Sequence, residues 1–249
     1  MKDWVIEKIA RINQVFYQEF GNSFSSTRHR IQPGVARLLN QTTGNLAWLD
    51  VGCGNGTLAF ACLEMERKGC YLGCDFSREL LEEAHKMLAQ YTIPPEFQPE
   101  FHQVDLNSVS WAEELPQKHW SQISLFAVLH HIPFSENRKR LCTNLRGLLQ
   151  PDGQVFVSVW QLQNSARLLP RIKPWEMVDI PHQEVEEGDV LMDWRAGRQE
   201  SEAGEALRYV HIFSEAELSD LARQAGFQVK DSFYSDGHEG NLGLYQIWI

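Results

Sequence analysis

The sequence predicts an α/β protein with a doubly wound, mostly parallel sheet, and two observations lead to this class. Short apolar runs alternate with segments of helical spacing between residues 46 and 160, as repeated strand–helix units require. The first run also ends in a glycine-rich turn that opens directly into a helix. A length of 249 residues with ordinary composition suits one large domain with its own core.

The first strand–turn–helix unit is the most clearly defined. The apolar run 46–51 ends in three alternate glycines, Gly52, Gly54 and Gly56, and Thr57 then opens an apolar helical stretch. Glycine accepts a positive φ and lets a ligand approach the backbone closely. The helix N-terminus adds free N–H groups and the positive end of the helix dipole. Such a turn alone is as compatible with a plain tight turn as with a binding site.

Acidic residues at the ends of the next two strands favour the binding interpretation. The apolar run 70–74 ends in Asp75, and the run 101–104 ends in Asp105. An acid about 20 residues past a glycine turn is placed to hydrogen-bond ribose hydroxyls. Because these strand ends fall at one edge of the sheet, the pattern predicts a nucleoside site.

The glycine turn resembles the first motif of class I S-adenosylmethionine-dependent methyltransferases. It reads Leu-Asp-Val-Gly-Cys-Gly-Asn-Gly over residues 49–56, whereas the dinucleotide fingerprint is Gly-x-Gly-x-x-Gly. Later segments match the same family in order, and they are residues 73–77, 104–106, 126–133 and 148–154. The resemblance implies a seven-strand Rossmann-like sheet and S-adenosylmethionine as the cofactor.

The resemblance also implies which residues hold the cofactor. Asp75 is expected at the ribose and Asp105 at the adenine amino group. The full expected set is Tyr17, Arg28, Asp50, Gly52, Cys53, Gly54, Asn55, Gly56, Asp75, Phe76, Ser77, Val104, Asp105, Leu106, Phe126 and Ala127.

We divide the predicted domain into four segments. Residues 1–45 form helices that commonly cover the cofactor in such methyltransferases, and residues 46–160 form the cofactor-binding core. The first helix, 3–20, has an apolar face of Trp4, Val5, Ile9, Ile12, Phe16 and Phe20. Residues 161–207 are polar, irregular and too long for an ordinary connection, so we expect an insertion that shapes the acceptor pocket. Every cofactor motif lies outside this segment, so its replacement by a short linker is expected to abolish turnover and retain cofactor affinity. Residues 208–249 supply a helix capped by Ser214 and a final antiparallel strand pair.

Within the core, three details complete the expected order of elements. A turn with three prolines spans residues 91–99, and strand three covers only residues 101–104. Ser77 can cap the helix after strand two. Strand four covers 123–127, and Ser135 caps a helix that runs to Leu149. A turn at residues 151–153 then leads into strand five, 155–160.

Three flanking segments resemble a narrower family, the methyltransferases that esterify 5-carboxymethyluridine at the tRNA wobble position. They are residues 16–28, 189–194 and 208–213. The resemblance makes Arg28, Arg208, Tyr209 and His211 candidates for catalysis, with Arg208 able to hold a carboxylate bidentately. For Tyr209 and His211, simple packing before the helix is an equal alternative. We also expect Arg28 or its neighbour Arg30 to face the site.

The chemistry favours a carboxylate acceptor. Methyl transfer from a sulfonium has an activated donor, so the protein mainly supplies orientation and a water-poor pocket. A carboxylate, with a reference pKa of about 4, is already ionised and needs no general base. The alternatives are methylation of a small metabolite and a non-catalytic cofactor-binding subunit. The expected partners are therefore a small-molecule or tRNA acceptor, with room for an activating subunit.

The composition indicates the cellular compartment and the kinds of partner to expect. The sequence has no run of about 18 apolar residues, and its charged start lacks the apolar core of a signal peptide. The five cysteines are odd in number and lack metal-ligand spacing, so we interpret them as reduced thiols of a cytoplasmic protein. The net charge of −10 disfavours indiscriminate binding to polyanions.

Histidines give no sign of a metal site. His130 and His131 follow strand four, and we interpret them chiefly as the end of that strand. No His pair has a recognised ligand motif with supporting acids, so no metal is expected.

Overall fold

The computed structural model describes residues 1–25, 30–116, 119–194 and 206–249, without the side chains of residues 20–25. The α-helices are α1 Asp3–Ser25, α2 Pro33–Gln41, α3 Thr57–Glu64, α4 Arg78–Leu88, α5 Ser135–Leu148 and α6 Glu215–Gln224. The strands are β1 Leu46–Val51, β2 Gly69–Asp75, β3 Phe97–Gln103, β4 Trp120–Phe126, β5 Leu149–Trp160, β6 Ile172–Lys173, β7 Asp189–Trp194, β8 Ala206–His211, β9 Val229–Ser235 and β10 Gly243–Trp248.

A seven-strand sheet forms the centre of the chain, in the order β3-β2-β1-β4-β5-β10-β9. Strands β1 to β5 are parallel, and β10 runs antiparallel between β5 and β9. The strand order reverses direction next to β1, so the carboxyl ends of β1 and β4 flank a crevice where ligands bind in open α/β sheets. The predicted fold class is confirmed, including the final antiparallel pair.

Helices cover both faces of this sheet. Successive strand residues point to opposite faces, so Trp48 and Leu49 belong to different core clusters. The Trp48 side packs against apolar residues of α2, α3 and α4, such as Leu38 and Ala84. The Leu49 side packs against α5 and α6, for example at Leu145.

The first helix follows the predicted periodicity, with one difference. Val5, Ile9 and Phe16 are buried in one stripe, whereas Trp4 is 44% exposed. At 100° per residue, position 4 falls beside the stripe and points outward. The predicted contact of Phe20 lies outside the described side chains.

Strand β3 is longer than predicted and begins at Phe97, so Pro99 lies inside a strand and not in a turn. Proline cannot donate a backbone hydrogen bond, but β3 is an edge strand and one side of it needs no donor. Strand β5 is also longer than predicted. It begins at Leu149, and its register against β4 shifts where the predicted turn at 151–153 falls.

The insertion is more regular than the sequence suggested. Strands β6, β7 and β8 form a separate antiparallel sheet. The predicted boundary between residues 207 and 208 falls inside β8. Val5 and Ile9 of α1 pack on Trp175, Leu191 and Tyr209, so the first helix is attached to this second sheet.

Two of the three predicted serine caps are confirmed. The Ser77 side chain accepts the N–H of Leu80, and the Ser214 side chain accepts the N–H of Glu217. The predicted cap at Ser135 is wrong, because Ser135 is the first residue of α5 and its hydroxyl donates to Glu186. Across the described residues, no helix is long and apolar enough to cross a membrane.

Candidate active site

A cavity of about 650 Å³ opens at the carboxyl ends of β1 to β4, beneath α1 and the start of α2. It collects most of the side chains and turns that the sequence predicted for a cofactor. Those lining it are Tyr17, Asp50, Gly52, Cys53, Gly54, Asn55, Asp75, Phe76, Asp105, Leu106, Phe126 and Ala127. Three predicted residues are buried just behind the wall, and they are Gly56, Ser77 and Val104. Arg28 lies outside the described residues, whereas Arg30 lies at the rim.

The glycine turn leaves room for a ligand and allows close packing behind it. Gly52, Gly54 and Gly56 all have positive φ, at 76°, 56° and 77°. A Cβ at Gly52 would lie 2.3 Å from a methyl carbon of Val128, so any side chain there would clash. A Cβ at Gly54 would meet nothing within 4 Å, and that open space belongs to the cavity.

Asp75 connects the two turns that border the cavity. One of its carboxylate oxygens accepts the N–H of Gly54 at 2.9 Å, and the other accepts the N–H of Ser77 at 2.9 Å. Burial raises the pKa of Asp75, although these N–H bonds oppose the shift. Asp105 is exposed, and one of its oxygens accepts the backbone and side-chain N–H groups of Asn107.

Asp50 is buried at the end of β1, and hydroxyl groups donate to both of its oxygens. Tyr71 donates at 2.6 Å to one oxygen and Ser124 donates to the other. Burial raises the pKa of Asp50 to about 6, against the lowering effect of the two hydroxyls and with a further rise from the charge of Asp75. A carboxylate in this position gains a proton more easily than one in water.

The turn after β4 brings a histidine to the cavity that the sequence analysis assigned only to ending the strand. His131 lines the cavity wall, and its Nε2 lies 2.8 Å from the Tyr17 hydroxyl. Its neighbour His130 is fully buried beside Trp160. Ala127, just before this turn, has φ of 58°, a conformation that non-glycine residues rarely adopt outside functional sites. The pattern His-His-Ile-Pro after strand four was the one sequence feature from which a histidine at the cavity could have been predicted.

Arg208, the main catalytic candidate, does not line this cavity. It is 3% exposed, and its guanidinium carbon lies 4.4 Å from the Trp160 ring centroid. The rings of Phe16 and Trp194 lie 5.3 and 5.2 Å from the same carbon. Trp160 also contacts His131, at a centroid distance of 5.6 Å, so Arg208 lies one aromatic layer behind the wall.

Tyr209 and His211 are buried in a polar network away from the cavity. Asp189 accepts the Tyr209 hydroxyl at 2.8 Å, and its same oxygen lies 2.7 Å from His211 Nδ1. The other His211 nitrogen lies 2.7 Å from Glu217 on α6. Burial tends to lower the pKa of His211, but the two carboxylates outweigh it and leave the pKa raised. A direct catalytic part for these residues stays a prediction, and their contacts favour a structural role.

The same network contains side-chain atoms that could act as metal ligands. Glu186, Asp189 and His211 present ligand atoms within 4.8 Å of one another. Arg138, however, lies 2.7 Å from one Glu186 oxygen, and Ser135 donates to the other. These bonds and those of Asp189 occupy the three side chains without a metal. The cluster therefore links the second sheet to α5.

The cavity fits a nucleoside cofactor with a charged tail. Asp75 and Asp105 offer acceptors at two successive strand ends, and Phe76 and Leu106 supply apolar surface beside them. The open space over Gly54 adds room next to the N-terminus of α3. A volume of about 650 Å³ lies within the range of ordinary small-molecule sites. The fold and this site define a class I S-adenosylmethionine-dependent methyltransferase.

Comparison with known proteins gives the family. A family model described as "Methyltransferase domain" matches residues 24–232, and the chain belongs to that family. The solved structure of a SAM-dependent methyltransferase from Methanosarcina mazei has a TM-score of 0.64 at 20% identity, covering 88% of this chain and 97% of that one.

Two curated relatives carry the same printed name, tRNA (carboxymethyluridine(34)-5-O)-methyltransferase. The Arabidopsis thaliana protein is 30% identical over 159 residues, which is 64% of this chain and 35% of that protein. The Saccharomyces cerevisiae protein is 24% identical over 277 aligned positions, which cover 90% of each chain. Among the first three curated relatives, the match spans only 35%, 20% and 22% of the relative's length.

Proposed function

We propose that the chain methylates a carboxylate oxygen, that of 5-carboxymethyluridine in tRNA. The observation that carries this proposal is the similarity to the yeast protein of that name over 90% of both chains. An ionised carboxylate needs orientation more than a base, and the predicted cation for it is Arg208, which lies one aromatic layer behind the cavity wall.

The cofactor brings the activated methyl group, and the residues of this chain bind it, orient it and exclude water. In this proposal, Asp75 accepts the ribose hydroxyls and Asp105 accepts the adenine amino group. The N-terminus of α3, next to the glycine turn, offers N–H groups for the carboxylate of the methionine part. We retain Arg208 as the residue that aims the acceptor carboxylate, and the cytoplasmic location stays a prediction.

The test is transfer of a labelled methyl group from S-adenosylmethionine to tRNA. Two tRNA pools serve as substrates, one carrying 5-carboxymethyluridine and one lacking it. We expect label only in the first pool, and mild base should release it as methanol because methyl esters hydrolyse readily. Base-stable label would contradict a carboxylate acceptor.

A small metabolite is the second candidate, favoured by the net charge of −10, which disfavours tRNA. The same assay with a metabolite extract tests it. Label in a small molecule and none in either tRNA would replace the first proposal. Cofactor binding without transfer in any arm would favour a non-catalytic subunit.

A further inference from the structure

The solvent-facing side of α1 carries an exposed tryptophan and an arginine at the mouth of the cavity. Trp4 is 44% exposed, and Arg11 is exposed and lines the cavity. They are seven positions apart, close to two helical turns, so both point to nearly the same side at about 10 Å along the axis. The apolar stripe of Val5, Ile9 and Phe16 is buried on another side. Trp4 is therefore not part of the packing that holds α1.

Arg11 makes no ion pair, hydrogen bond or ring contact with the part of the chain that the structure describes. Glu7 lies one turn earlier and also lines the cavity, and a glutamate and an arginine four positions apart can pair on a helix. Arg78 and Glu82 form such a pair on α4 at 3.0 Å. Because Arg11 forms none with the described residues, its guanidinium is available to a ligand at the cavity mouth.

A second arginine lines the same cavity, just before the start of α2. Arg30 is exposed, and it also makes no ion pair or hydrogen bond with the described residues. Arg208, by contrast, is buried behind the wall. Arg11 and Arg30 are therefore the basic side chains that the described lining of the cavity presents to solvent.

Acidic side chains also line the cavity, and three of them are already hydrogen-bonded within the protein. Asp50 accepts hydroxyl groups, and Asp75 and Asp105 accept N–H groups. Glu7 makes no hydrogen bond to any residue that the structure describes. In the described lining, the two arginines therefore face one acid without a hydrogen-bond partner, and Glu7 is the side chain that opposes a bound anion.

We propose that Trp4, Arg11 and Arg30 form the entry surface for a single-stranded RNA segment, with a base stacked on the tryptophan and phosphates on the two arginines. Surfaces that bind single strands combine cations along the backbone with aromatic side chains on which bases stack. Arginine also suits phosphate, which its planar fork can bind bidentately. This inference rests on the proposed function, because an RNA acceptor must bring its modified base into the cavity.

The test measures the dissociation constant of an anticodon stem–loop RNA bearing 5-carboxymethyluridine at several salt concentrations. Arg11→Gln and Arg30→Gln should each weaken binding about two- to fivefold and reduce the slope of log Kd against log salt by about 0.7. Trp4→Ala should weaken binding about fivefold or more and keep the parental slope, because stacking involves no counterion. Glu7→Gln removes the opposing acid and should tighten binding.

Lys230→Gln is the matched control. It removes one positive charge from an exposed position of β9, the edge strand at the other end of the sheet from β3, and should keep the parental affinity and slope. The side chains changed in all five variants are exposed, so we expect parental melting temperatures. Affinity for S-adenosylmethionine should stay parental as well. A fall in that affinity in the arginine variants, with RNA binding unchanged, would mean that they bind the cofactor and would overturn the proposal.

Two further outcomes distinguish this surface from the proposed function. A parent that methylates tRNA, with parental RNA affinity in Arg11→Gln, Arg30→Gln and Trp4→Ala, would overturn the entry surface alone. A parent that neither binds the RNA nor methylates tRNA would overturn both.

Discussion

At the scale of single residues, the cavity contains carboxylates that are costly to ionise. Asp50 and Asp75 are 4% and 7% exposed, and both have a raised pKa because of burial. Hydroxyls of Tyr71 and Ser124 hold Asp50, and backbone N–H groups hold Asp75. A cationic ligand in the cavity would offset part of the cost of their charge.

The raised pKa of Asp50 predicts a pH dependence of stability. With a folded pKa of about 6 against an ordinary value of 3.8, the folded state binds this proton more tightly than the unfolded state. The resulting stabilisation is complete below about pH 4 and is lost as the pH rises through 6. We expect Asp50→Asn to remove about 3 kcal/mol of that dependence, at ~1.4 kcal/mol per pKa unit.

Urea unfolding at several pH values between 4 and 7 measures this dependence. Asp152→Asn, at an exposed position of β5, is the control and should keep the parental slope. Equal slopes in Asp50→Asn and the parent would show that Asp50 does not titrate there.

Arg208 has two possible roles, stabilising the packing around it and orienting the acceptor carboxylate, and experiments on its variants distinguish them. Its guanidinium lies near three aromatic rings, a setting that suits a planar cation better than an ammonium. If Arg208 orients the acceptor, Arg208→Ala should lose on the order of 2–4 kcal/mol in catalytic efficiency and keep its cofactor affinity. Arg208→Lys should recover only part of the activity.

Melting temperature and single-turnover rate, measured on the same variants, distinguish the two roles. A lower melting temperature with a normal rate in Arg208→Ala would mean that the arginine only holds the second sheet together.

At the scale of elements, the second sheet supports the helix that covers the cavity. Val5 and Ile9 of α1 pack on it, and Asn13 and His131 bond the backbone of its strand β8. Replacing residues 161–207 by a linker would therefore remove β7 and expose the apolar stripe of α1. From the sequence we expected such a variant to keep its cofactor affinity and lose turnover, whereas these contacts predict that affinity falls as well.

A smaller change tests this coupling. Ile180 is fully buried beneath α1, and Ile180→Ala should cost about 2–5 kcal/mol through the cavity it leaves. We expect faster hydrogen exchange in residues 3–19, with parental protection in β1 and β4. Ile249→Ala removes the same atoms from a side chain that is 42% exposed and should change neither. Unchanged exchange in α1 of a folded Ile180→Ala protein would contradict the coupling.

At the scale of the whole molecule, local patterns predicted the core and missed the long-range contacts. Ser77 caps its helix through Leu80, and Gly52 and Asp75 belong to motifs of fixed spacing, so their turns and this cap could be predicted from the sequence. The strand nature of β7 and β8 depends on pairing between residues 189–194 and 206–211, which no local period reveals. His131 was assigned to the end of a strand because its partners Tyr17 and Tyr209 lie 114 and 78 residues away.

The central claim is that the cavity at the ends of β1 to β4 holds S-adenosylmethionine and that Asp75 is part of the contact. Calorimetric titration of the parent and of Asp75→Ala with S-adenosylmethionine tests it most directly. We expect binding by the parent and a loss of at least about 1.5–3 kcal/mol in the variant, as for a hydrogen bond to a charged group. Unchanged affinity in a folded Asp75→Ala protein would contradict the claim.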